Sequence, residues 1–511
     1  MNVIGIVFLA IFLAVMVSVG VWGMRRTKTL GDFFLGGRTL GPWVSAAAYG
    51  TTYFSAVIFI GYAGAQGWQF GLNALWIALG NGLIGAGLAW MVLARRTRLM
   101  THNLDSMTMP EFLQERYGAK HLKPIAATII FFFLLPYSAG VFKGLGYLIQ
   151  KCLGIPSFDI ALLIIIVFTG VYLILGGYFA IAFTDFIQAI IMFAGAAALV
   201  LVITSPEGGV FGILGKIREG YAANVPAAAR PTALTIISLV FMTSFGTWGL
   251  PQMTQKFYAI KNEKLIPKAA IVTSIFALMI GFSAYYTGAS VHVFYERYDD
   301  IKAILTPAAG QRVNYDLIIP TLLAIPGMLP KALMALILLL VLSASMSTLS
   351  SLVLVSSSAV AIDLYPSRID AKTGKDRSVA MMRFLSAIFI VISYLISRSQ
   401  ISIIVYLMAL SWGVVSGSFA APYILGLYSK KVTKAGAYAG LFSGITIMIT
   451  LYFVLGARNS PLSASIAIVV PFIIVTVVSL FTKPPSKEIL DKAFDFSEQI
   501  TNDGEQGAES K

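Results

Sequence analysis

The sequence predicts an all-α polytopic membrane protein of about thirteen transmembrane helices, with its N-terminus outside and its C-terminus inside. Two observations carry the fold class and a third the orientation. Of 511 residues, 58% are hydrophobic and only 12% are charged, about half the roughly 25% usual in soluble domains. Apolar runs of bilayer-crossing length, about 20 residues, recur along the whole chain. Basic residues gather in alternate connections between those runs. A soluble enzyme, a nucleic-acid binder and a disordered chain are excluded, because each needs far more polar surface. The runs must be helices, since lipid offers no partner to open backbone groups.

The apolar segments fall near 3–23, 43–65, 74–94, 124–149, 158–176, 184–204, 232–255, 269–293, 317–360, 379–397, 401–427, 435–456 and 463–482. The first has no preceding positive charge and is followed by Arg25, Arg26 and Lys28. That polarity opposes a cleaved signal peptide and puts the N-terminus outside. The ninth is too long for one crossing and holds Pro326 and Pro330, so a short surface helix is expected before the span proper. The polar tail, 483–511, is expected to be partly disordered.

Net charge is +14, and its distribution matters more than its size. With this topology the cytoplasmic connections and tail hold 25 Lys and Arg, the outer connections 9, and Lys143, Lys331 and Arg383 fall in or beside spans. Clusters such as Arg95-Arg96-Thr97-Arg98 and Lys430-Lys431 therefore read as orientation signals and contacts to anionic lipid. One cysteine, Cys152, and three histidines offer neither a disulfide framework nor a Cys/His metal site.

The informative residues are those that lipid would reject. Segment two contains Tyr49-Gly50-Thr51-Thr52-Tyr53-Phe54-Ser55, and segment seven contains Thr243-Ser244-Phe245-Gly246-Thr247-Trp248-Gly249-Leu250-Pro251. Both are poor helix formers in mid-membrane. Segments two to six and seven to eleven form two groups of five, and each group opens on an interruption. Matched interruptions are the sequence mark of a transporter binding site, where unwound backbone frees carbonyls for a cation. Either stretch alone could simply serve close helix packing. In segment nine, Ser343, Ser347, Ser350 and Ser351 share one helical face, and hydroxyl oxygens at that depth suit Na+. Asp185, at the start of segment six, would cost about 2.5–3.5 kcal/mol at a helix centre unless partnered. Lys143 is open to three readings: snorkelling outward, pairing with Asp185, or binding a solute carboxylate. Neither a phosphate-binding Gly-x-x-x-x-Gly-Lys-Ser/Thr loop, nor a His-Glu-x-x-His or Gly-x-Ser-x-Gly motif, nor a K+-type filter occurs, so ATP-driven transport, hydrolysis and K+ conduction lack support.

Four marks in this order resemble the sodium:solute symporter family: Phe34-Leu35-Gly36-Gly37-Arg38, Gly176-Gly177-Tyr178 leading to Thr184-Asp185-Phe186-Ile187-Gln188, Met346-Ser347-Thr348-Leu349-Ser350, and Asp363-Leu364-Tyr365. The resemblance spans about residues 5–480 and is nearest to the sodium/proline and sodium/pantothenate branch, with Gly249-Leu250-Pro251 in support. It implies a LeuT-like core of inverted five-helix repeats, about 43–204 and 232–427. These lie in a transmembrane domain of 1–482, with extra helices at both ends. It also implies no enzymatic activity and a multi-pass protein of a bacterial inner membrane. The expected partners are a small solute and the lipid bilayer, with no nucleic acid and no obligate protein partner.

By the same resemblance, Na+ is the coupling ion. Its main site takes the carbonyls of Thr51, Phe54 and Ala344 and the hydroxyls of Ser347 and Thr348. A second Na+ would use Asp185, Ser347, Ser350 and Ser351. No organic cofactor is implied, and Gly36-Gly37-Arg38 reads as a turn. The proline branch has an Asp where this chain has Tyr53, and pocket aromatics where it has Thr243, Thr247 and Val57. The expected pocket is therefore polar, built from Tyr53, Tyr137, Thr243, Thr247, Trp248 and Lys143, for a carboxylate-bearing solute: proline, pantothenate or another monocarboxylate. Proton coupling on the same fold, or a non-transporting sensor or scaffold, are the alternatives.

Overall fold

The computed structural model describes residues 3–26, 34–175, 178–307, 313–365 and 378–496. Gly176-Gly177 of the second family mark lies outside the described residues. Within them the chain is helical throughout, with no strand, and ten helices are long and apolar enough to cross a membrane.

The chain opens with α1 (Val3–Arg26). A turn with positive φ at Gly36, Gly37 and Arg38 follows, and the Arg38 guanidinium fixes it by donating to the Ser106 carbonyl at 2.9 Å. Segment two divides into α2 (Pro42–Tyr53), a π-helical turn (Val57–Tyr62) and α3 (Ala63–Phe70). Segment three runs from α4 (Leu75–Gly80) through π-helical turns at Asn81–Leu88 and Trp90–Ala94 into α5 (Arg95–Asn103). A connecting helix, α6 (Met109–Tyr117), is capped at its start: the Thr108 hydroxyl accepts from the Glu111 amide, and the Glu111 carboxylate accepts from the Met107 amide. Segment four is split at Leu134, beside Pro136, into α7 (Leu122–Phe133) and α8 (Leu135–Leu153).

Next come α9 (Phe158–Leu175), α10 (Tyr178–Thr204) and the connecting helix α11 (Gly209–Asn224). Segment seven breaks into α12 (Ala233–Phe245) and α13 (Pro251–Ala259), separated by a 3-10 turn and an extended Leu250. After α14 (Ile266–Phe294) and α15 (Asp299–Leu305), a short α16 (Ile318–Ala324) precedes α17 (Lys331–Ser358). The short helix expected there is present, but it is buried rather than on the surface. The last helices are α18 (Ser378–Ser399), α19 (Ile404–Tyr428), α20 (Lys434–Leu455), α21 (Ser460–Leu480) and α22 (Lys487–Ala493).

α10 lies along α17 and α2, α14 packs on α3, and α19 to α21 form a second group. One isolated parallel bridge joins Leu40, just before α2, to Ile260, just after α13. It is made by Leu40 N–H to Ala259 O (3.3 Å) and Lys261 N–H to Leu40 O (2.9 Å).

The described part of the tail carries a short helix: α22 docks on α5 and α6, with the Phe494 ring centroid 5.0 Å from the Arg116 guanidinium. One expectation needs correction here. The cluster Arg95-Arg96-Thr97-Arg98 does not simply face lipid. Arg96 donates to the Leu427 carbonyl at the end of α19, and Arg98 donates to the Ile260 carbonyl beyond α13. Cations at helix C-termini satisfy carbonyls that the helix cannot.

The close approach of α3 and α14 depends on glycine. A Cβ on Gly288 of α14 would stand 1.9 Å from the Ala63 carbonyl oxygen of α3, and one on Gly67 would stand 2.1 Å from the Gly288 carbonyl carbon. Backbone cannot yield as a side chain does, so Gly288→Ala is expected to cost at least about 3 kcal/mol, the upper range of over-packing. Thermal unfolding of the purified protein checks this. Gly215→Ala, which meets nothing within 4 Å, is the control and should melt as the wild type does.

Candidate functional site

The two interruptions expected from the sequence are both present, and they face each other across the bundle. α2 ends where Phe54 turns extended (φ −111°, ψ 127°). The amides of Ile58 and Phe59 both bond to the Ser55 carbonyl, so the carbonyls just before it lie outside that ladder. A helix leaves its last four carbonyls without intrahelical partners, and here those are buried in mid-bundle. The amides beyond the break are met by serines: Ser345 Oγ accepts from Ala56 N–H at 3.0 Å, and Ser55 Oγ from Val57 N–H at 3.2 Å. Tyr53, the last residue of α2, donates its hydroxyl to the Thr243 carbonyl of α12 at 2.6 Å, linking the two interruptions.

The serine face of α17 meets the end of α2. Ser347 Oγ donates to Thr51 Oγ1 at 2.8 Å, and Thr348 Oγ1 lies 3.0 Å from Thr52 O, 3.1 Å from Ala344 O and 3.4 Å from Thr51 O. Thr51, Ala344, Ser347 and Thr348 are therefore assembled at one point, with Phe54 at the adjoining break. The result is a fully buried cluster of carbonyl and hydroxyl oxygens, the donor set that suits a hard monovalent cation. Ser350 donates back to Ser347 O at 2.8 Å, and Ser351 Oγ lies 3.0 Å from Thr52 Oγ1. Ser345, which the sequence reading did not single out, is the serine that holds the break itself.

The buried charges pair differently from the expectation. Asp185 lies seven residues inside α10, not at its start, and is fully buried. Its cationic neighbour is Lys256 of α13, Nζ to Oδ2 4.0 Å, and not Lys143. Lys143 neither snorkels nor pairs with Asp185. Its Nζ is buried 3.0 Å from Asp316 Oδ2 and 2.7 Å from the Ser402 carbonyl, and Asp316 also accepts from the Ile404 amide at 3.2 Å. Lys256 and Asp316 each sit one position outside an apolar segment as read from the sequence.

A narrow cavity adjoins the break. Of the six expected solute contacts, Tyr53, Tyr137 and Thr243 line it, together with Tyr62, Tyr285 and Trp412. Thr247 and Trp248 do not. They fasten segment seven to segment three, Thr247 Oγ1 donating to Ser244 O (2.8 Å) and Gly85 O (3.3 Å), and Trp248 Nε1 to Ile84 O (3.3 Å). Lys143 is not in the lining either. Trp412 Nε1 and Tyr62 Oη are buried without a hydrogen-bond partner, so the cavity wall is aromatic with a few free polar atoms.

The chain is similar over nearly its whole length to two proteins of Bacillus subtilis (strain 168). It is 28% identical to the high-affinity proline transporter PutP over 500 residues, covering 95% of this chain and all of that one. It is 30% identical to the osmoregulated proline transporter OpuE over 496 residues, covering 94% and 96%. Among solved structures it shares the fold of a Na+-coupled sialic acid symporter in a substrate-bound outward-open state, at a TM-score of 0.74 and 17% identity, over 95% of this chain and 99% of that one. The sodium:solute symporter model matches residues 33–444, a stretch that holds both interruptions, the serine face and the paired charges. The chain belongs to the sodium:solute symporter family.

Proposed function

We propose that this protein is a secondary active symporter that uses an inward Na+ gradient to import proline or a closely similar small amino acid. The observation that carries the reading is the oxygen cluster at the end of α2, where freed carbonyls meet the Ser347 and Thr348 hydroxyls. Na+ would be held there by Thr51 O, Phe54 O, Ala344 O, Ser347 Oγ and Thr348 Oγ1. Binding between α2 and α17 favours the outward-open arrangement, solute then enters the neighbouring cavity, and the bundle rocks to release both inside.

Proline is supported by the names of the Bacillus relatives and by the cavity. Its aromatic wall suits an apolar ring, while the Trp412 N–H and Tyr62 hydroxyl suit a carboxylate. On this reading the chain crosses the cell membrane of a bacterium thirteen times with its N-terminus outside. Two inverted repeats, about 43–204 and 232–427, meet at the site within the 1–482 domain, and 483–511 is a cytoplasmic tail. One Na+ crossing 100 mV supplies about 2.3 kcal/mol, and a tenfold gradient adds about 1.4. Together these support roughly 500-fold accumulation of a neutral solute.

Uptake by proteoliposomes of the purified full chain tests the proposal, with proline, pantothenate, short monocarboxylates and sialic acid as solutes. Na+-driven proline uptake that disappears when choline replaces Na+ is the expected result. Uptake that ignores Na+ and follows a pH gradient would overturn the coupling ion, and no proline uptake beside strong uptake of another solute would overturn the cargo.

A further inference from the structure

We infer that Lys256 is a built-in cation standing in the place of a second coupling ion, so that one Na+ accompanies each solute. The inference rests on the sodium-symport reading and fixes its stoichiometry. The oxygens expected to hold a second Na+ are Asp185, Ser347, Ser350 and Ser351. The Lys256 ammonium reaches into that set, 3.0 Å from Ser351 Oγ and 4.0 Å from Asp185 Oδ2. It arrives on α13, while Asp185 comes from α10 and Ser351 from α17, so three helices converge on the nitrogen. Lys256 and Asp185 are both fully buried, and the Tyr178 ring centroid lies 4.8 Å from the ammonium on another side.

The donor set does not fit an added Na+. Ser351 Oγ already has the ammonium and Thr52 Oγ1 as neighbours at 3.0 Å each. One carboxylate is balanced by one ammonium, whereas a metal ion beside Asp185 would add an uncompensated charge at membrane depth and in close contact with like charge. The lysine differs from an ion in one decisive respect: it is tethered. Fixed to α13 beside Asp185, it is not released on the far side of the membrane as a bound ion is. The site therefore keeps the electrostatics of a two-cation transporter and the energetics of a one-cation transporter.

Equilibrium binding of radiolabelled Na+ to the purified full chain, counted per molecule, tests this without measuring transport. The wild type is expected to bind one ion, Lys256→Arg one, Lys256→Gln two, and Lys256→Gln/Asp185→Asn one again. Two ions on the wild type would overturn the inference and leave the symport reading intact. No ion on the wild type would overturn the main-site reading and this inference with it. A folded Lys256→Gln protein that still binds one ion would also overturn it. If Lys256→Gln fails to fold, the counts on the wild type and Lys256→Arg decide alone, one ion supporting the inference and two refuting it.

Discussion

Replacing Ser347 and Thr348 together by alanine is expected to abolish the Na+ dependence of uptake while leaving a folded protein. The two hydroxyls are the only side-chain oxygens in the proposed main site. Their neutral hydrogen bonds, to Thr51 Oγ1 and Thr52 O, are worth about 0.5–1.5 kcal/mol each in stability, which a helix packed as α17 is can lose. Toward an ion they count for more. Contacts to a charged group run at about 1.5–3 kcal/mol each, so removing both raises half-saturating Na+ by a hundredfold or more. Uptake measured against Na+ concentration checks the size of the effect, and a melting curve near that of the wild type shows that the fold survives. Unchanged Na+ kinetics would refute the assigned site.

The second large effect is expected at the Lys143–Asp316 ion pair. Lys143 and Asp316 are both buried, and Asp316 also accepts the Ile404 amide at the start of α19. Lys143→Met leaves a buried carboxylate with its main partner gone, and breaking such a pair from one side costs about 3–5 kcal/mol. Lys143→Met/Asp316→Leu removes both charges and should recover most of that loss, because two buried ions give up about as much solvation as their attraction returns. Thermal unfolding of the two variants and the wild type separates these outcomes. A double variant no more stable than the single would show that Lys143 does something other than neutralise Asp316. Because the lysine is spent on this pair, single and double variants should share one apparent solute affinity in those molecules that remain folded.

Much of this architecture was legible because the bilayer is a severe solvent. The helical membrane class, the two weak stretches and the serine face all announce themselves by what lipid permits; the described residues hold ten helices long and apolar enough to cross a membrane where thirteen spans are expected. The failures have one physical origin. Hydropathy takes a charge for the edge of a span, so segment seven ends before Lys256 and segment nine begins after Asp316. Inside a bundle a charge with a partner no longer marks the interface, and the partner lies 71 positions away in one case (256 − 185) and 173 in the other (316 − 143). Local hydropathy cannot carry that information. The aromatic lining was missed for a related reason. Tyr62, Tyr285 and Trp412 are ordinary core residues by composition, and only the fold turns them toward the break.

The clasp between Leu40 and Ile260 bears on how such a molecule avoids leaking its gradient. It ties the beginning of α2 to the end of α13 by backbone alone, and the Tyr53 hydroxyl ties the end of α2 to α12. The two broken helices are thus tied at both ends of α2, and bending one drags on the other. A half-switched molecule, with one helix swung and the other left behind, would have to break those hydrogen bonds. Suppressing those half-states closes the route by which an ion could slip through without its passenger.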